Sequence, residues 1–150
     1  MVKINDMMKD ILKDDEDEEL SLQVDELLKE IVSKTKIIND CILYDKDGAL
    51  EEKEIDLDRI IKFVGDWTGY EVSCNELKFE RVDIPSKQFL ALANKLSFML
   101  SQKHIGKKVV VYIMLSKNEF ELRFHTYRES EGLWLDEDLN KYDMPVLSVL

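Results

Sequence analysis

Glycine and proline are scarce in this chain, 5 and 2 of 150 residues, which excludes collagen-like, low-complexity and loop-dominated architectures. Cysteine is as thin. Cys41 and Cys74 form no CxxC pair and no zinc spacing with His104 or His125, so each reads as a reduced thiol in or near a core, and no metal is expected. Long apolar runs are missing too: the longest, Val109–Leu115, cannot span a bilayer as a helix. Met1–Leu12 lacks the uninterrupted apolar stretch of a signal peptide, and acids follow where a cleavage site would lie. A cytoplasmic protein is the expectation. Basic charge is also in deficit, with 21 Lys and Arg against 32 Asp and Glu and a net charge of −11. Phosphate backbones repel such a chain, so nucleic acid and anionic membrane surfaces are excluded as direct partners.

Hydrophobic residues make up 45% of the chain, enough to build a core, and the length suits a single α+β domain over 1–150 with an acidic helical N-terminal region. The acidity is not evenly spread. Residues 1–75 hold 21 acids and 10 bases, whereas residues 76–150 hold 11 of each. Scattered acids keep a protein soluble; a concentrated excess can steer a basic partner. Both readings remain open on charge alone.

Ile4, Met7, Met8, Ile11 and Leu12 recur at helical spacing, followed by the acid run Asp14–Glu19. A second stripe, Leu20, Val24, Leu27, Leu28, Ile31 and Thr35, predicts another helix. The acid run fits either its first turns, at the positive end of the macrodipole, or an exposed break between the two helices. Cys41–Tyr44 reads as a short strand, and Asp45-Lys46-Asp47-Gly48 as a turn with Gly48 free to take positive φ. The Asp-x-Asp-Gly fragment is no calcium loop, because Gly comes two positions early and no acid ladder follows. Asp56 or Asp58 caps a helix carrying Ile60, Ile61, Val64 and Trp67 and ending near Gly69. Tyr70–Ser73 and Leu77–Ile84 look extended, with Leu77, Phe79 and Val82 inward. Pro85-Ser86 opens the clearest helix, with Phe89, Leu92, Ala93, Leu96, Met99 and Leu100 as its buried stripe and Gly106 as its stop.

Lys108–Leu115 and Phe120–Tyr127 flank a four-residue loop and read as a hairpin. The second arm alternates, with Phe120, Leu122, Phe124 and Thr126 on one face and Glu121, Arg123, His125 and Tyr127 on a solvated one. Leu133-Trp134-Leu135 continues the meander, Asp136 or Asp138 begins a helical turn through Tyr142, and Pro145–Leu150 forms an edge strand or tail. The fold class is therefore α+β, an antiparallel β-sheet with helices packed on one face. The expected oligomeric state is a monomer or weak homodimer, joined through an edge at Phe120–Tyr127 or Pro145–Leu150.

Convergent catalytic groups are wanting: there is no Gly-rich phosphate loop, nucleophile elbow or metalloprotease helix. A cysteine paired with His104 or His125, or a site around His125, Arg123 and Tyr127, is the minimum an enzyme would require. No catalytic residue and no cofactor is assigned.

The segment Phe124–Pro145, with Gly132-Leu133-Trp134-Leu135 and the acidic turn Asp136-Glu137-Asp138, resembles the closing segment of small immunity proteins of bacterial polymorphic and contact-dependent toxin systems. That resemblance implies a cytoplasmic, non-enzymatic inhibitor binding the C-terminal toxin domain of its cognate effector, often a nuclease, and the acidic excess suits a cationic one. It carries no binding residues with it. The charge split supplies the candidates: Asp14, Asp15, Glu16, Asp17, Glu18 and Glu19, then Glu51, Glu52, Glu54 and Asp56. The alternative is a small acidic chaperone for a secreted effector, using the Met7–Leu12 stripe as an exposed apolar face.

Overall fold

A computed structural model describes residues 1–14, 16–51 and 55–150. The chain runs β1 (Val2–Ile4), α1 (Asp6–Leu12), α2 (Leu22–Ser33), β2 (Thr35–Ile38), β3 (Cys41–Tyr44), α3 (Leu57–Val64), α4 (Trp67–Cys74), β4 (Glu76–Glu80), α5 (Phe89–Lys103), β5 (Val109–Leu115), β6 (Glu119–Thr126) and β7 (Val146–Val149). The fold is α+β. Five strands form an antiparallel sheet in the order β1-β7-β5-β6-β4, and β2 and β3 form a separate hairpin.

Strand β5 is buried at every position, as its apolar sequence on both faces requires. Val109, Val111, Ile113 and Leu115 join Phe120, Leu122 and Phe124 of β6 under Leu92, Leu96 and Leu100 of α5 and Leu28 of α2. Val110, Tyr112 and Met114 face the other way, against Leu135, Leu139 and Val146. The sheet is thus covered twice, once by helices and once by the irregular chain between β6 and β7. Leu133-Trp134-Leu135, expected as a strand, lies in that irregular cover instead. Tyr112 fixes it, its hydroxyl accepting from Trp134 N at 3.2 Å. The turn beyond it forms as expected, over Leu139–Lys141 with Asp138 as its cap.

Several elements depart from the sequence expectation. Ile4 belongs to β1, not to a helix starting there. Asn5, 1% exposed, makes the switch: its Oδ1 accepts from Met8 N and Val146 N at 3.0 Å, and its Nδ2 donates to the Met144 carbonyl. Since β1 pairs with β7, the expected edge at Pro145–Leu150 is an interior strand, and β6 lies between β5 and β4. The edges are β1 and β4.

Thr35 starts a strand rather than continuing the α2 stripe. Asn39 and Asp40 both take positive φ, 50° and 67°, the two-residue turn that suits a hairpin. Asp56 caps α3, which stops at Gly65 with φ 94°, short of Trp67. The side chain of Val64, expected on its apolar face, lies outside the described residues. Tyr70–Ser73, with strand-prone residues, is helical because two carboxylates hold the start of α4. Asp66 Oδ1 accepts from Gly69 N at 2.6 Å, and Glu131 accepts from Trp67 N and Thr68 N at 3.1 and 2.9 Å. Strand β4 ends at Glu80, and a turn over Arg81–Asp83 throws Val82 outward to 90% exposure.

Candidate partner-binding surface

The acid run is a break between helices. Residues 16–20 have no regular structure, and α2 begins only at Leu22, capped by Ser21 Oγ accepting from Val24 N. Two backbone N–H groups pin the break to the start of α5: Glu18 N donates to the Lys87 carbonyl at 3.0 Å and Ser21 N to Gln88 Oε1 at 2.9 Å. The carboxylates of Asp14, Glu16, Asp17, Glu18 and Glu19 point outward and are exposed. Among the described residues, only Glu18 of these has a basic neighbour within ion-pair range, Lys87 at 3.9 Å. Asp15, Glu52 and Glu54 lie outside the described residues.

Of the second acidic group, the described members are Glu51 and Asp56. Lys36 reaches the Leu50 carbonyl beyond the C-terminal end of α2, whereas Glu18 sits beyond its N-terminal end. Twelve helical residues separate the two ends, about 18 Å. Glu51 is exposed, and Asp56 is committed to its helix, accepting from Arg59 N at 3.1 Å. What lies between the two groups is the outer face of α2, with Glu26 and Glu30 exposed.

The groups named above for catalysis are buried or half-buried and held by neighbours. The β6 face carrying Glu121, Arg123 and His125 is not solvated: His125 is 0% exposed beneath the irregular cover. Its Nε2 lies 3.1 Å from the Tyr112 hydroxyl and its Nδ1 2.8 Å from the Thr126 carbonyl. Because a carbonyl only accepts, Nδ1 carries the proton and Nε2 accepts from Tyr112. Burial lowers the His125 pKa to about 4. Arg123 stacks over Trp134 at 5.0 Å and pairs with Glu76 at 3.1 Å. His104 is held by Thr35 at 2.9 Å, and burial lowers its pKa as well. Both cysteines are free, and burial pushes the Cys41 thiol up to about 12, far from a reactive thiolate.

Sequence reasoning missed a buried hub. Glu71, 0% exposed, accepts from Ile42 N at 2.5 Å, from Thr126 N and from Thr126 Oγ1 at 3.0 Å, and it pairs with Arg128 at 3.1 Å. Burial pushes its carboxyl up, while Arg128 and the N–H donors of Thr126 and Ile42 pull it down. Arg128 also reaches the Asp40 carbonyl at 3.3 Å and Cys41 Sγ at 3.4 Å. One carboxylate thereby ties α4, the β2–β3 hairpin and the end of β6 together. No local pattern marks Glu71, because all of its partners are remote in sequence.

Among the described residues, no group of three or more His, Cys, Asp or Glu is placed to hold a metal ion, and no helix is long and apolar enough to cross a membrane. No curated protein and no solved structure matches the chain. A family model matches residues 3–149, nearly the whole sequence, and the chain belongs to the Uncharacterized protein PM0498 family.

Proposed function

We propose that the protein is a non-enzymatic, cytoplasmic inhibitor of the immunity type, which binds the C-terminal domain of a cognate bacterial toxin and blocks it. The observation that carries this reading is the acid run: carboxylates exposed on a segment whose backbone is fastened to α5, so that charge is presented without needing to order the chain. Such a surface raises the encounter rate with a cationic partner, a nuclease being the fitting kind. The histidines, Cys41 and Glu71 are buried and engaged with neighbouring groups, and Cys74 is half-buried, which favours binding over catalysis. The Gly132–Asp138 motif packs the second face of the sheet, consistent with a family signature that serves folding while contact residues vary. The chaperone alternative has less support: of the Met7–Leu12 stripe, Met8 is buried and Ile11 and Leu12 pack against the core, which leaves Met7 exposed.

The test is protection of cells expressing the toxic C-terminal domain encoded next to this gene, together with association kinetics in vitro. Asn and Gln in place of the acids at 14–19 should slow association and flatten its salt dependence, with the fold intact. Wild-type association rates at low salt in that variant would defeat the steering idea. Failure of the wild-type protein to protect against any such domain would defeat the inhibitor reading itself.

A further inference from the structure

Helix α2 and edge strand β4 enclose a groove of about 670 Å³. Its floor is apolar, made by Val24, Leu27, Phe79 and Ile84, with Leu27 and Phe79 half-exposed. Its rim is acidic, with Glu26 and Glu30 on α2 and Asp83 beyond β4, all exposed. Two of these acids already hold cations: Glu26 pairs with Lys29 at 3.5 Å, which Asp25 also holds at 3.0 Å, and Glu30 pairs with Lys34 at 3.0 Å. Asp83 and Glu80 have no ion pair among the described residues.

Strand β4 pairs with β6 on one side and with no strand on the other. The phase of its ladder follows from the bond of Arg81 N to the Asn118 carbonyl, 2.9 Å. Leu77 and Phe79 therefore bond to β6, while Glu76, Lys78 and Glu80 turn their N–H and C=O groups to the open edge. Such an edge is a template for another strand. Edge and groove meet at Phe79, whose side chain lines the floor.

A strand laid on this edge puts alternate side chains on the groove side, where the floor calls for apolar groups. Its other side chains fall on the face of Glu76, Lys78 and Glu80, where Glu76 is already paired with Arg123 at 3.1 Å and Glu80 has no ion pair among the described residues, and Asp83 lies just beyond the end of the strand. A second copy of β4 is the competing occupant: centred on Lys78, antiparallel self-pairing sets like charge against like, whereas centred on Phe79 it sets Lys78 against Glu80. The acids Glu80 and Asp83, with no ion pair among the described residues, favour a basic segment over it. We infer that the α2–β4 groove receives an extended basic segment of a partner protein, alternating apolar and Lys or Arg residues, added to the sheet beside β4. This deepens the inhibitor reading by locating a contact, and rests on it for the partner being a protein.

The test titrates the isotope-labelled full chain with three synthetic peptides of equal length: alternating Lys and Val, alternating Glu and Val, and an amphipathic Lys/Leu helix former. The Lys/Val peptide should shift the amides of Glu76–Glu80 and of α2 and protect the outward amides of β4 from exchange, and the Glu/Val peptide should not. Reversing Glu80 and Asp83 to Lys should weaken the Lys/Val peptide about tenfold at low salt, and self-association of the free chain through the outward amides of β4 would overturn the inference. Lys78→Pro, which removes an outward donor, should abolish protection; the charge-reversed variant decides the matter if that one fails to fold. Equal response to the Lys/Val and Glu/Val peptides, a stronger response to the helix former, shifts confined to residues 14–19, or no response would overturn the inference. A toxin that binds the charge-reversed groove as tightly as wild type would also sink it while leaving the inhibitor reading standing. Peptide binding without any toxin neutralisation would do the reverse.

Discussion

On one face of the five-stranded sheet, Val111, Ile113, Leu122 and Phe124 meet the side chains of α2 and α5 and almost nothing polar. On the other, Tyr112 and Val110 meet irregular chain, and they share that space with His125, Arg123 and Trp134. Both faces are buried, but by different means. Hydrocarbon packing is non-directional, so the helical face draws its stability from area and fit. The second face depends on particular hydrogen bonds, because an irregular segment cannot satisfy its own backbone and must find partners in the side chains it covers.

The largest effect should come from breaking the helical face. Leu96 is 0% exposed at the centre of α5, and Leu96→Asp buries an unpaired charge there, an expected loss above about 4 kcal/mol and enough to unfold the chain. A soluble Leu96→Asp variant with native circular dichroism would refute that placement of α5. Next is the hub that borders the second face. Glu71→Ala strands the Arg128 guanidinium and the N–H groups of Ile42 and Thr126, at a cost of about 3–5 kcal/mol in denaturant unfolding. Glu71→Gln keeps an acceptor and should lose less; an equal loss would mean that charge, not hydrogen bonding, holds the hub.

The second face should also be the acid-sensitive one. With the His125 pKa lowered to about 4 from an unfolded value of about 6.5, the unfolded chain binds the proton more readily. The stability held in the neutral imidazole is thus complete above about pH 6.5, falls as the pH drops toward 4, and levels off below. The total is about 3 kcal/mol. Protonated His125 would turn an N–H toward the Tyr112 hydroxyl, which already accepts from Trp134 N, so the irregular cover should loosen first. The difference between wild type and His125→Gln in urea midpoints across pH 4–7 measures this contribution, and identical pH slopes would refute it. Trp134→Ala should cost about 2 kcal/mol, raising amide exchange in residues 128–142 while α5 stays protected. Uniform loss of protection would show that the two faces open together. The smallest effect belongs to the acid run: neutralising residues 14–19 should change stability by about 0.5 kcal/mol or less, because the carboxylates of Asp14, Glu16, Asp17, Glu18 and Glu19 are exposed.

Local sequence determined what a local physical period can encode. The α5 stripe, the β5–β6 hairpin with its alternation, the Asp45–Gly48 turn and a cap at Asp56 or Asp58 were all legible, since each rests on residues within a few positions of one another. The acidic excess of the first half was legible as charge. Only the tertiary structure decided the rest. Val2–Ile4 is a strand because β7 lies beside it and Asn5 bonds across to the Met144 and Val146 backbone, 139 and 141 residues away. Tyr70–Ser73 is helical because Glu131, more than 60 residues on, holds the first N–H groups of α4. His125 reads as solvated from its alternating neighbours and is buried because the chain folds back over it. Nor does charge counting place the acids: of those described, Asp14 and residues 16–19 come before α2, and Glu51 and Asp56 come after β3. Long-range partners carry no local period, so the elements they stabilise, and the groove they leave beside β4, appear only when the chain has closed on itself.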